Sequence, residues 1–424
     1  MRLCLIASKP TDSVIYGILP AAARLGLDVV LLTDQPEGHE RARARSRLLP
    51  RPGSPPGDAG GEPDGTSVHV VPCDVWDARQ LIRAIAAGPA PDAIFSNSDH
   101  LQVQTALAAA YSGLAGKDWR SALRARDKSL MRRRLAEAHV EHVAAAEIHP
   151  GTAHPLADLD FPVVLKPAEG VASEDVMLVS DPRELERRSA EILARRPGQT
   201  LLAEEYLPGG LHTLETLGDG ATTWVLGGFR TSLSPPPYFI EERLTWDANA
   251  PQPGTEHVMR ALAALGGGFG ACHCEYVVGP ERRATLIEVN DRLIGDHCDF
   301  FLSDLLGTDL FELTLRISLG EPLPPGPPPA PPPDRRHAII DYVVADRPGV
   351  LAAPPRAGQQ PSPEPGVLLS WWPLRSGGER ITITGTNRDY LGVITAIGPD
   401  HAAVERSVAA TRAAIRLEIT ETGQ

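Results

Sequence analysis

Short apolar runs alternate with amphipathic stretches through the first hundred residues. Leu3 to Ala7, Val29 to Leu32, Val68 to Val71 and Ala93 to Ser96 each read as a buried strand, with Ser13 to Leu25 as a helix between the first two. Wholly apolar strands separated by helices predict an open parallel sheet with both faces covered. A second unit begins with an arginine-dense helix from Ala122 to Ala138. Apolar segments follow at Val143 to Ile148, Val163 to Lys166 and Val176 to Val179, then a charged helix over 183–196 and a strand from Thr200 to Leu207. The stretch from Leu214 to Thr245 predicts antiparallel strands interrupted by Pro235-Pro236-Pro237. Cys272 to Val278 and Thr285 to Arg292 predict two more strands, each carrying an acid.

The prolines and glycines gather at 50–65 and 322–333, which makes them boundary markers. Arg41 to Gly65 has no apolar period and predicts a surface loop. The run from Pro322 to Pro333 predicts a stiff polyproline linker before a strand-and-helix module ending in the amphipathic helix His401 to Glu418. Together these divide the chain at 1–113, 114–208, 209–321, 322–335 and 336–424.

A net charge of −13 argues against nucleic acid or an anionic membrane surface as the main partner. No apolar run of about 18 residues occurs, and the chain starts on a strand rather than a leader, so a cytoplasmic setting is expected. Five cysteines in 424 residues are too few and odd in number for a disulfide framework. Zinc at Cys272, His273, Cys274, His297 and Cys298 is disfavoured, because alternate residues of one strand rarely supply tetrahedral ligands. A dinucleotide reading fails at Ser8-Lys9-Pro10-Thr11-Asp12-Ser13, where a glycine-rich turn would be needed.

Candidate chemistry sits where polar groups interrupt apolar strands. Glu275 and Glu288 fall on neighbouring strands, Asn290 shares the face of Glu288, and Arg292 follows it. An acid in such a place is costly unless compensated, and a divalent cation suits converging carboxylate and amide oxygens. Lys166 ends an apolar strand before a loop of small residues, Ala168 to Ser173, whose N–H groups suit a phosphate. Lys128, among arginines, reads either as a phosphate ligand or as part of a solvated basic face. Leu201 to Leu207 fits an adenine hinge or an ordinary edge strand, and Ser96 to Asp99 fits a ligand contact or a helix cap.

Lys128, Lys166, Glu204-Glu205-Tyr206-Leu207, Glu275 and Glu288-x-Asn290-x-Arg292 stand in the order and approximate spacing of the ATP-grasp superfamily, which the whole chain resembles. Within it the chain is similar to carboxylate–amine ligases that join amino acids or build peptide-like natural products and siderophores. Gly227 to Thr231, Pro237 to Glu242 and Glu288 to Asp296 support this. The resemblance implies an α/β and α+β multidomain fold, in which a Rossmann-like parallel sheet precedes two ATP-grasp subdomains and a small α+β module. It implies ATP with Mg2+ or Mn2+, and small carboxylate and amine substrates, and it leaves a homodimer open. Lys128 and Lys166 would hold phosphates. Glu204, Glu205, Tyr206 and Leu207 would border adenine, and Glu275, Glu288 and Asn290 would bind the metal. Arg292 would meet the transferring phosphate or the substrate carboxylate, with Arg230 as a second cation. Many relatives carry a ribose-binding acid where this chain has Leu211, which leaves Glu215, His212 or no side chain for that role. Asp291 stands where a proline is commoner and would leave the loop to Arg292 freer. The implied reaction forms an acyl phosphate and then an amide, releasing ADP and phosphate. A carboxylase, a purine-synthesis step and a non-catalytic nucleotide binder are the alternatives.

Overall fold

The computed structural model describes residues 1–46, 67–150, 159–248 and 252–420. Strands β1 (Arg2–Ile6), β2 (Asp28–Thr33), β3 (Val68–Pro72) and β4 (Ala93–Phe95) form a parallel sheet in the order β3-β2-β1-β4. Leu3, Leu5, Val29 and Leu31 are fully buried on one face, and Ile6, Leu32 and Ile94 sit in a separate core on the other. Both faces are covered, as the unbroken apolar runs require. The Ser13–Leu25 helix begins as a wide turn over Ser13–Ile18 before continuing as Leu19–Arg24. One expectation changes here: Arg41 to Ser46 finish a helix, Pro36–Ser46, and are not loop; the rest of the stretch to Gly65 lies outside the described residues.

The arginine-dense helix is two helices, Trp119–Arg126 and Lys128–Glu137. Asp127 breaks them apart: its backbone is extended (φ −104°, ψ 107°) and its side chain accepts from the Ser129 and Leu130 N–H groups, capping the second helix. Strands β5 (Ala145–Ile148), β6 (Val163–Pro167), β7 (Met177–Val179) and β8 (Leu201–Glu205) then make an antiparallel sheet ordered β5-β8-β6-β7.

The remaining strands are β9 (Gly210–Asp219), β10 (Thr223–Gly227), β11 (Arg230–Leu233), β12 (Glu241–Asp247), β13 (Phe269–Val278), β14 (Ala284–Asn290), β15 (His337–Val344), β16 (Gly349–Leu351), β17 (Gly358–Gln359), β18 (Leu368–Pro373), β19 (Arg380–Ile381), β20 (Tyr390–Gly398) and β21 (Ile419–Thr420). Ten of them form one sheet, β14-β13-β9-β11-β12-β15-β20-β18-β17, with β10 paired to β9; β19, β16 and β21 form a small one. The proline run therefore does not set the last strands apart from the site strands. Pairing of β12 with β15 carries the sheet straight across it, and the run itself is tied down by Leu323, whose N–H donates to Asp219. Helix His401–Ala414 packs on β15 and β20, its own part of the sheet. Among the described residues no helix is long and apolar enough to cross a membrane.

Strict alternation on β13 creates the site. Cys272, Cys274 and Tyr276 face helix Thr255–Leu265 in a buried core, so His273, Glu275 and Val277 face the other way. On β14 the register shifts between the Glu275–Glu288 and Tyr276–Leu286 pairs, which leaves Ile287 as an extra residue. This bulge turns two consecutive side chains, Ile287 and Glu288, to the same cleft.

Candidate active site

A cleft of about 980 Å³ lies between the β5-β8-β6-β7 sheet and the ten-stranded sheet. Val164, Leu207, Leu211, Val277 and Ile287 give it an apolar end, and Lys128, Lys166, Glu275 and Glu288 a charged one. The apolar end suits a flat base and the charged end a polyanion with a cation.

Lys166 is buried and its Nζ lies 2.5 Å from Glu204, whose other oxygen accepts from Arg132 Nε at 2.8 Å. Arg132 also donates to Glu141 at 3.1 Å and to the Leu286 carbonyl at 2.6 Å. Burial alone would push the Glu204 carboxyl up, but Arg132 and Lys166 override it and hold it at about 2. Burial likewise pulls the Lys166 ammonium down, with Glu204 opposing. Sequence reasoning made Glu204 a free acceptor for adenine. The structure corrects this: both oxygens are engaged inside the protein, and Glu204 is the counter-ion that fixes Lys166. Glu205 is also engaged, accepting from the Ala144 N–H at 3.0 Å, while Tyr206 and Leu207 border the cleft.

Lys128 is the first residue of its helix and 4% exposed, so the solvated-face reading falls. Its N–H donates to the Ala168 carbonyl, and its Nζ donates to the Gly170 carbonyl at 2.9 Å and lies 3.2 Å from Glu288. The loop it grips has left-handed backbone at Ala172, Ser173 and Asp175 (φ near 55° at each). Asn387 donates to the Ala172 carbonyl and Arg388 pairs with Glu174, so the chain's last third holds this loop.

Glu275 and Glu288 are directly opposite, as are His273 and Asn290. His273 bridges Glu215 (2.8 Å) and Glu275 (3.3 Å). Burial raises the Glu275 carboxyl, yet His273 outweighs it and the net direction is down. Burial raises Glu288 too; Lys128 opposes this, and the like charge of Glu275 adds to it. Two facing carboxylates in unequal environments are what a divalent cation compensates. No three His, Cys, Asp or Glu side chains among the described residues converge closely enough to hold a metal by themselves. Asn290 and ligand oxygens would complete the coordination, beside the Lys128–Glu288 and His273–Glu275 pairs.

Arg292 Nε lies 2.5 Å from Asp99, which opens the short helical turn Asp99–Leu101 after β4, and this pair joins the N-terminal unit to the site. Burial disfavours the guanidinium's charge, and Asp99 with Asp296 more than restores it. Asp291 does not loosen the loop: it is 7% exposed and Lys117 holds it at 3.4 Å. Glu215 is buried beside His273 and does not line the cleft; His212 stacks on Tyr276 across the sheet from it. Neither is placed for a ribose. Arg230 also fails its expected role, because it is paired with His212 on that far face and is exposed. Arg230→Ala should therefore leave turnover within about twofold and stability within about 0.5 kcal/mol, as for an ordinary surface change, measured by steady-state rate and denaturant midpoint. Missed from sequence were Arg132, His273 and Glu241. Period-two spacing from Glu275 would have found His273; Glu241 borders both this cleft and the chamber beyond it.

No family model matches the sequence. Over 206 residues it is 31% identical to the uncharacterized protein y4rH of Sinorhizobium fredii (strain NBRC 101917 / NGR234), a match that covers 46% of this chain and only 40% of that one. Solved structures align along the full length. An L-amino acid ligase from Bacillus licheniformis superposes with a TM-score of 0.72 at 20% identity, covering 100% of this chain and 99% of its own. A phosphoribosylglycinamide synthetase from Anaerococcus prevotii gives 0.69 at 12% identity, covering 99% of each. The biotin carboxylase domain of a Hydrogenobacter thermophilus 2-oxoglutarate carboxylase, bound to MgADP and bicarbonate, gives 0.68 at 16%, covering 99% of this chain and 90% of that one. From its parallel N-terminal sheet through its two larger antiparallel sheets, this chain has the ATP-grasp fold.

Proposed function

We propose that this protein is a cytoplasmic ATP-dependent carboxylate–amine ligase that forms an amide or peptide bond between amino-acid-like substrates. The observation that carries this is the continuity of two spaces. Glu241, Glu275 and Glu288 line both the nucleotide-sized cleft and a polar chamber that also contains Arg292. The full-length likeness to an L-amino acid ligase supports it.

In this reading adenine enters the apolar end, and Lys128 and Lys166 take the phosphates. Magnesium held by Glu275, Glu288 and Asn290 would neutralise charge on the transferring phosphoryl group. Arg292, fixed by Asp99, would orient the substrate carboxylate for attack on the terminal phosphate. Phosphoryl transfer asks mainly for such positioning, so no nucleophilic side chain is required. The products of activation are an acyl phosphate and ADP; the amine then displaces phosphate.

An ADP-release screen over single amino acids, hydroxy acids and dicarboxylic acids, then over pairs, tests the reading. Release of ADP and phosphate only when a carboxylate and an amine are both present is expected. AMP in place of ADP would sink the acyl phosphate route, and turnover that needs only bicarbonate would favour a carboxylase.

A further inference from the structure

Two neighbouring cavities beyond the phosphate end are lined between them by six acids: Asp12, Asp99, Glu241, Glu275, Glu288 and Asp296. Five are already engaged. His297 lies 2.8 Å from Asp12, Arg292 2.5 Å from Asp99, Asn387 Nδ2 3.3 Å from Glu241, His273 3.3 Å from Glu275 and Lys128 3.2 Å from Glu288. The sixth, Asp296, is exposed and lines both cavities; its carboxylate makes no hydrogen bond with a described residue, although the charges of Arg292 and His297 act on it. Its backbone is fixed all the same, since its carbonyl accepts from the Tyr342 hydroxyl at 3.0 Å.

The backbone here is strained. Asp296 (φ 54°) and His297 (φ 69°) are consecutive non-glycine residues in the left-handed region, a conformation that costs about 1–3 kcal/mol per residue and persists where the surroundings enforce it. The enforcement is visible on both sides: His297 is tied to Asp12, and Gly295 lies so close to Arg292 that a Cβ there would stand 3.2 Å from Nη1. The result is a guanidinium and a solvent-accessible carboxylate that line the same cavities, one fitted to a substrate anion and the other to a substrate cation. Glu241 is the nearest rival for that cation. Its carboxylate, however, already accepts from Asn387 Nδ2 at 3.3 Å; burial pushes both carboxyls up, and at Asp296 the charges of Arg292 and His297 oppose it.

We infer that Asp296 is a catalytic residue that binds the ammonium group of the amine substrate and takes its proton as the nitrogen attacks. This rests on the ligase reading. The ammonium gives one proton to the Asp296 carboxylate and becomes a neutral amine. Its lone pair forms the C–N bond, and the C–O bond to phosphate breaks with the electron pair leaving on phosphate. The second proton lost from nitrogen departs with the phosphate.

Hydroxylamine separates the steps, because it is uncharged at neutral pH and traps an acyl phosphate as a hydroxamate without a base. Asparagine tolerates the left-handed backbone, so Asp296→Asn removes the charge and keeps the turn; Asp296→Gly relaxes the turn altogether. Both variants should keep the wild-type rate of carboxylate-dependent hydroxamate formation within about twofold, and lose about 100-fold or more in amide formation with an amino acid as the amine, the range of general base catalysis. Equal loss of both activities in the two variants would overturn the assignment, and so would retention of amide formation. A wild-type enzyme that forms no carboxylate-dependent hydroxamate would overturn the ligase reading, and this proposal with it.

Discussion

Replacing Arg132 with methionine should destabilise the protein by about 3–5 kcal/mol, the cost of leaving a buried charge without its partner. Arg132 is 7% exposed and donates to Glu204, Glu141 and the Leu286 carbonyl, so three elements lose a common donor at once. Lysine should not rescue it, since one ammonium cannot reproduce a fork that reaches two carboxylates and a carbonyl. The effect has a pH signature. Glu204 is held at about 2 in the folded protein, below its unfolded value of about 4.3. It therefore contributes stability that is present above about pH 4.3 and lost as pH falls towards 2, on the order of 3 kcal/mol at full extent. Removing Arg132 lets burial raise Glu204 again, so the variant should lose stability at a higher pH than wild type. Denaturant titrations of both proteins between pH 3 and pH 8 measure the two effects together. A loss under about 1 kcal/mol would mean that Lys166 alone compensates Glu204.

That residue also shows where sequence reading stopped. Lys128 and Arg132 sit one turn apart on a helix that the apolar period ran together with the helix before it. Only the cap at Asp127 restarts the helix and points both cations inward. Asp127 followed by Ser129 was a readable signal, but its partner Glu204 is 72 residues away and no local pattern announces it. The N-terminal sheet was legible because unbroken apolar strands have few alternative fates. Glu275, Glu288 and Asn290 were legible because a period of two fixes which side chains share a face. Arg230 was assigned to the wrong face because nothing local set its register against His212. The continuation of the sheet into β15 was hidden for the same reason: Arg243 and Asp341, joined by an ion pair, are 98 positions apart, with the proline run between them.

Glu288→Gln should abolish magnesium-dependent turnover, by about 100-fold or more for loss of a metal-binding carboxylate, while leaving the unliganded fold intact. The two halves of this expectation have one cause. In the folded protein burial and the charge of Glu275 raise the Glu288 carboxyl, with Lys128 only partly offsetting them. A folded-state value above the unfolded one means that the ionised acid opposes folding, and increasingly so as pH rises past about 4.3. Glutamine keeps the shape and removes that opposition, at the cost of the Lys128 pairing, whose ammonium still donates to the Gly170 carbonyl. Unliganded Glu288→Gln should thus melt no lower than wild type at pH 8, and the difference should shift towards wild type as pH approaches 4. Magnesium with ADP should raise the melting temperature of wild type by mass action and leave the variant nearly unmoved. This second readout does not depend on knowing the substrates. Equal stabilisation of both proteins by magnesium and ADP would remove Glu288 from the metal site.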